Sequence, residues 1–187
     1  MYRRIAGGVA LLGALALPGT SAHAEEVTVC YNYGCYAKAP VDYSEGQLDL
    51  LRQQLAAARD AAAEREAIAA AIGRMYAIAG EQTPVWRDKG GNYADGGENG
   101  KMDCIDHSTN TSAFLRLLQV RGWLRFHEVL EPIRRSRFFI AEHRAARIRE
   151  RETQQVYVVD SWFFDNGWPA AVFALEDWLA GAAPNVQ

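Results

Sequence analysis

The residues best equipped for chemistry stand together in Met102-Asp103-Cys104-Ile105-Asp106-His107-Ser108-Thr109-Asn110-Thr111. A thiol is flanked there by carboxyl, imidazole, hydroxyl and amide groups. The apolar spacing of Ile105, Ala113, Phe114, Leu117 and Leu118 predicts a helix starting at Cys104 and ending by Gly122, with Asp103 as its N-cap. A cysteine at a helix start has its thiolate favoured by the helix dipole and by unpaired backbone N–H groups. The same N–H groups can stabilise the oxyanion formed in acyl transfer. The stretch therefore points to a nucleophile, which needs a base, and the base needs a partner to orient it.

The cysteine count singles out the same residue. The chain has three cysteines. Cys30 and Cys35 flank Tyr31-Asn32-Tyr33-Gly34, whose turn-forming Asn and Gly let two sulfurs meet, so a Cys30–Cys35 disulfide is expected. The spacing is not the CxxC of redox sites, and no second cysteine pair exists for zinc. Disulfides belong to oxidising compartments. Arg3 and Arg4, the apolar run from Ile5 to Leu17 and the small-x-small Ala22-His23-Ala24 have the form of an export signal. The run is shorter than the roughly 20 apolar residues that span a bilayer. The expectation is a signal peptide over 1–24 and one domain over 25–187, periplasmic or secreted, with no stable membrane insertion after cleavage. A chain of about 160 residues can bury one real core.

Other elements must position these groups. Val27-Thr28-Val29 with Tyr31 and Tyr33 predicts a strand, and Pro40 and Asp42 a loop. Ser44 with Gln47 is a capping-box pattern, so a helix is expected from Glu45. Leu48, Leu51 and Leu55 form one apolar stripe; Ile68, Ile72, Met75, Tyr76 and Ala79 form a second, stopped at Gly80. The stripes fit one bent helix or two packed ones. Pro84 to Lys101 is a Gly-rich loop whose acidic groups lack calcium-loop spacing; beside a reactive group it suits a lid or a substrate edge. Trp123 to Leu130, Phe138 to Ile148 and Gln155 to Trp162 alternate as strands. Pro132 with Arg134, Arg135 and Arg137 marks one turn between them, and Arg149–Thr153 another. Asp165-Asn166-Gly167 is a turn, Ala170 to Phe173 a short strand, and Leu175 to Leu179 a short helix stopped by Gly181. The fold class expected is α+β, with N-terminal helices packed on an antiparallel sheet.

Three histidines follow the signal. His107 shares the helix face of Cys104 and approaches its sulfur from the side. His127 lies in the next strand, and its mirror partner falls in an ill-defined region. A hairpin through Arg149–Thr153 sets His143 across from Asp160 to within a residue, where cross-strand Cβ atoms are about 5 Å apart. Register thus selects Cys104, His143 and Asp160.

These residues resemble a family. Asp103-Cys104-Ile105-Asp106 opening a helix, His143-Arg144-Ala145-Ala146 on a following strand and Tyr157-Val158-Val159-Asp160 on the next look like the bacterial transglutaminase-like cysteine peptidases of the papain-like and transglutaminase superfamily. The resemblance spans roughly residues 100 to 168. It implies a transglutaminase/papain-like core, with Cys104 as nucleophile, His143 as base and Asp160 as its orienter. Two positions depart from the pattern: Glu142 stands where the family usually has Gly, and Ser161 where it often has Asn.

The function expected is an exported thiol hydrolase or acyltransferase acting on a peptide or amide bond of a peptide or protein substrate. The alternative is a non-catalytic periplasmic binding or scaffold domain that keeps the fold. Asp103, Asp106, His107 and Asn110 are expected to support the site or its oxyanion. Cys104, His107, His143 and Asp160 have the composition of a zinc site but no short ligand pair, so neither metal nor cofactor is expected. Trp162, Phe163, Phe164 and Trp168 suit either core or the lining of a cleft. With 20 basic against 23 acidic residues and a net charge of −3, no surface for nucleic acid is expected.

Overall fold

A computed structural model describes residues 25–91, 94–137 and 141–184. The expected signal peptide lies outside them. Among the described residues the fold is α+β, with four α-helices and two antiparallel sheets. None of these helices is long and apolar enough to cross a membrane.

The first sheet is a hairpin of β1 (Glu25–Tyr31) and β2 (Ala37–Tyr43). Its turn is closed by the Cys30–Cys35 disulfide. The backbone there is left-handed at Asn32, Tyr33, Gly34 and Cys35. Pro40 and Asp42 are not loop residues: they lie within β2, Pro40 opposite Thr28. Two-stranded pairing leaves each strand an open side, where a proline without an N–H is tolerated.

Helix α1 (Glu45–Ala56) begins with the expected capping box: the Ser44 side chain accepts from the Gln47 backbone, and the Gln47 side chain returns to Ser44. The second apolar stripe is a separate helix, α2 (Ala61–Gln82), capped by Asp60. It runs through Gly80 to Gln82, so the expected stop at Gly80 falls inside the helix. A 3-10 turn (Pro84–Arg87) follows. Helix α3 (Cys104–Val120) then leads to the second sheet: β3 (His127–Arg137), β4 (Ala141–Glu150), β5 (Val156–Asp160) and β6 (Ala171–Ala174), paired in that order. Pro132, expected in a turn, lies within β3; the ladder absorbs it by a register shift between Leu130 and Ile133. The chain closes with α4 (Leu175–Ala180), ended by the left-handed Gly181.

Alternation along β4 and β5 assigns the two faces of this sheet. Ala146, Ile148 and Val159 join the main core with Phe114, Leu115 and Leu118 of α3. Ala145 and Val158 point the other way, into a smaller core with Trp178 of α4. The sheet is thus a wall between the cysteine-bearing helix and α4.

Candidate functional site

Helix α3 starts at Cys104 because Asp103 caps it. Asp103 Oδ1 accepts from the N–H of Ile105 (3.0 Å) and Asp106 (2.9 Å), and Asp106 Oδ2 accepts from the N–H of Asp103 (3.2 Å). Two of the first helical amides are thereby taken, and the N–H of Cys104 itself remains for an incoming oxygen. Cys104 is the free thiol and is partly exposed.

The β4–β5 ladder pairs Ala146 with Val159, and continuing that register sets Ala145 opposite Asp160. The hairpin is therefore offset by two residues from one that pairs His143 directly with Asp160. An offset of two preserves the face, so His143 and Asp160 meet diagonally: His143 Nε2 donates to Asp160 Oδ2 at 2.7 Å. Beyond Ala145, β4 has outrun β5, and the start of α3 meets its open edge. The Cys104 Sγ lies 3.9 Å from the Glu142 carbonyl oxygen there.

The Asp160 carboxylate is held on both oxygens. Trp178 Nε1–H donates to Oδ2 at 2.9 Å and the Trp162 backbone N–H to Oδ1 at 3.2 Å. Aromatic rings fix the imidazole: Trp162, Trp178 and Phe163 have their centroids 5.0, 5.7 and 5.8 Å from it. Of the four aromatics considered as core or cleft, Trp162 is buried, Phe163 and Phe164 are partly buried, and Trp168 is 64% exposed. The His143 Nδ1 is buried and finds no hydrogen-bond partner among the described residues. Burial alone would lower the ring's pKa, but the Asp160 hydrogen bond, and after it the Cys104 side chain, outweigh burial and raise it to about 9. Sulfur and ring therefore interact without a well-formed hydrogen bond between them.

The remaining expected site residues act one step back. Asn110 brackets Cys30, accepting from its N–H at 2.6 Å and donating to its carbonyl at 2.8 Å. Asp106 Oδ1 accepts from the N–H of Cys35 (2.6 Å), and Asp103 Oδ2 from that of Gly34 (3.0 Å). The disulfide-closed turn is thus stapled to the start of α3. Burial, opposed by the Cys35 amide and reinforced by Asp103, raises the Asp106 pKa to about 6. His107 is buried with both nitrogens engaged, Nε2 by Asp88 Oδ2 and Nδ1 by Ser161 Oγ, each at 2.9 Å. Ser161 continues to Thr111 Oγ1 at 2.8 Å, and that hydroxyl to Tyr76 at 3.2 Å. His127 is likewise enclosed, with Nδ1 on Glu64 at 2.8 Å.

Sequence reasoning missed Asp88 and Trp178. Asp88 also accepts from the Met102 N–H at 2.8 Å, just before the cysteine turn. The loop after it is pinned to the far side of the site. Gly91 N–H donates to the Trp162 carbonyl at 2.8 Å, and a Cβ at Gly90 would come within 3 Å of the Phe163–Phe164 backbone. No periodic pattern marks Asp88 or Trp178; both become visible only once their partners are placed.

The His, Cys, Asp and Glu atoms that crowd closely enough to hold an ion, among the described residues, are those of Cys30, Cys35 and Asp106. Their sulfurs are bonded to each other. No family model matches the chain, and neither a curated protein nor a solved structure matches it.

Proposed function

We propose that the chain is a transglutaminase-like thiol hydrolase or acyltransferase that acts on a peptide or amide bond, exported to an oxidising compartment. The observation that carries this reading is the state of His143: one nitrogen is locked on Asp160, and the other is buried with no partner among the described residues, beside the odd thiol. A purely structural histidine is expected to have both nitrogens satisfied. Support for export comes from the disulfide and the form of residues 1–24.

In this reading Cys104 passes its proton to His143 Nδ1, and the sulfur attacks the carbonyl carbon. The C–S bond forms as the carbonyl π electrons move to oxygen, which the Cys104 N–H receives at the helix start. Collapse breaks the C–N bond, and His143 returns its proton to the leaving amine, leaving a thioester. Water or an acceptor amine then attacks the thioester carbon as His143 removes its proton; the C–S bond breaks, the acid or new amide leaves, and His143 returns the proton to the sulfur. Asp160 holds the ring's orientation and stabilises its charge. Trp178 and the Trp162 amide hold Asp160. Glu142, which replaces the usual Gly, turns its carboxylate to Arg134 and Arg144 rather than to the ring.

The test is the rate at which iodoacetamide labels Cys104 at neutral pH, followed by intact-mass spectrometry. Labelling well above the rate of free cysteine, lost in His143→Ala, supports the reading. Labelling at the free-cysteine rate in both proteins favours a binding or scaffold domain that keeps the fold without the chemistry.

A further inference from the structure

We infer that the site takes an anionic substrate: a peptide carrying a carboxylate next to the bond that Cys104 attacks, received by Arg134 and Arg144. This rests on the function proposed above and adds the substrate class. Strand alternation supplies the geometry. Ala146 and Ile148 face α3, so Arg144 and Glu142, at even spacing before them, project from the same face. Arg134 is the cross-strand partner of Arg144, and Ser136 that of Glu142. The two guanidinium groups therefore stand on the α3 face of the sheet, at the end of β4 whose Glu142 carbonyl contacts the Cys104 sulfur. Arg135 does not join them: paired with His143, it lies on the opposite face and stacks on Trp178, 4.4 Å from the ring centroid.

Glu142 shows what the pair binds. Its carboxylate is gripped on both oxygens, by Arg134 Nη1 at 3.0 Å and by Arg144 Nε at 2.7 Å. Arg144 first, and Arg134 with it, hold this exposed carboxyl below its usual range. Two arginines against one carboxylate leave these three side chains with a net positive charge. Asp103 and Asp106, at the start of α3, turn their carboxylates to amides of α3 and of the disulfide turn rather than to these arginines. Arg134 and Arg144 remain 61% and 41% exposed, so a substrate carboxylate can displace or flank that of Glu142. A planar guanidinium fork suits this exchange. Glu142 then acts as a built-in competitor that a neutral substrate does not dislodge.

The experiment compares iodoacetate with iodoacetamide as probes of Cys104. In each case sulfur displaces iodide, one C–S bond forming as one C–I bond breaks, and only the charge of the reagent differs. The ratio of the two rates, measured against the same ratio for free cysteine, reports the local field. The expected ratio exceeds that of free cysteine about threefold to tenfold and falls as ionic strength rises. It drops in Arg134→Gln/Arg144→Gln, survives in Arg134→Lys/Arg144→Lys, and rises in Glu142→Gln. Two peptide vinyl sulfones, one with an acidic side chain before the warhead and one with a free carboxylate after it, then identify the source of the anion by which loses rate in the Gln pair. A ratio that stays at its original value in the Gln pair overturns the inference. Failure of the proposed chemistry reads differently, as an iodoacetamide rate indifferent to His143→Ala.

Discussion

Two buried histidine–aspartate pairs flank the start of α3, and they differ in one atom's worth of bonding. His107 binds Asp88 through one nitrogen and Ser161 through the other, both at 2.9 Å. His143 binds Asp160 at 2.7 Å, and its second nitrogen has no partner among the described residues. The first ring is a strut: it joins the loop before the cysteine, the cysteine helix and the residue after Asp160. The second can accept a proton, because nothing else occupies its lone pair. Burial beside a carboxylate thus does not separate the two rings; in the proposed reading the unfilled nitrogen does. His127 falls with His107, since Glu64 holds its Nδ1 and Arg65 stands 3.3 Å from its Nε2.

The contrast can be broken by substitution. His143→Ala should slow Cys104 alkylation about 10²-fold or more, the scale of a positioned base, and should also destabilise the fold, because the buried Asp160 loses its partner. His107→Ala should leave the alkylation rate of the folded protein little changed while lowering stability by about 2–4 kcal/mol in urea titrations, because Asp88 and Ser161 lose their buried partner. Equal slowing of alkylation by both variants would erase the distinction between strut and base. Replacing Cys30 and Cys35 by Ala should cost about 2 kcal/mol, the chain-entropy value for so short a loop, and should loosen the turn held by Asp103, Asp106 and Asn110. The smallest effect is expected from Trp178→Phe: about 1 kcal/mol for the lost hydrogen bond to Asp160, with a several-fold slower alkylation as the carboxylate loosens.

Much of this arrangement is legible in the amino-acid sequence. The Ser44–Gln47 box and the Asp103 cap are local, so their side chains announce them. Disulfide closure follows from a turn between two nearby cysteines. The His143–Asp160 meeting follows from hairpin symmetry, and it survives a misplaced register because a two-residue offset leaves each side chain on its own face. The failures have a common cause. Pro40 and Pro132 suggest breaks, yet a two-stranded hairpin and a bulged strand each accommodate a residue without an N–H. Asp88 is hidden among the acids of a Gly-rich loop, and Trp178 in a helix of six residues. Each matters through a partner distant in sequence, which no local pattern reveals.

The pH behaviour of His143 links the ring to the sulfur. Its folded pKa, raised to about 9, exceeds the unfolded value of about 6.5. Its contribution to stability is therefore fully present below about pH 6.5 and is lost as pH rises through 9. The most direct measurement is the titration of the His143 ring by NMR in the unsubstituted protein and in Cys104→Ser. A midpoint near 9 is predicted, falling in Cys104→Ser while staying above that of a free imidazole because Asp160 remains. A midpoint near 6.5, or one that Cys104→Ser leaves unmoved, would contradict a coupled cysteine and histidine.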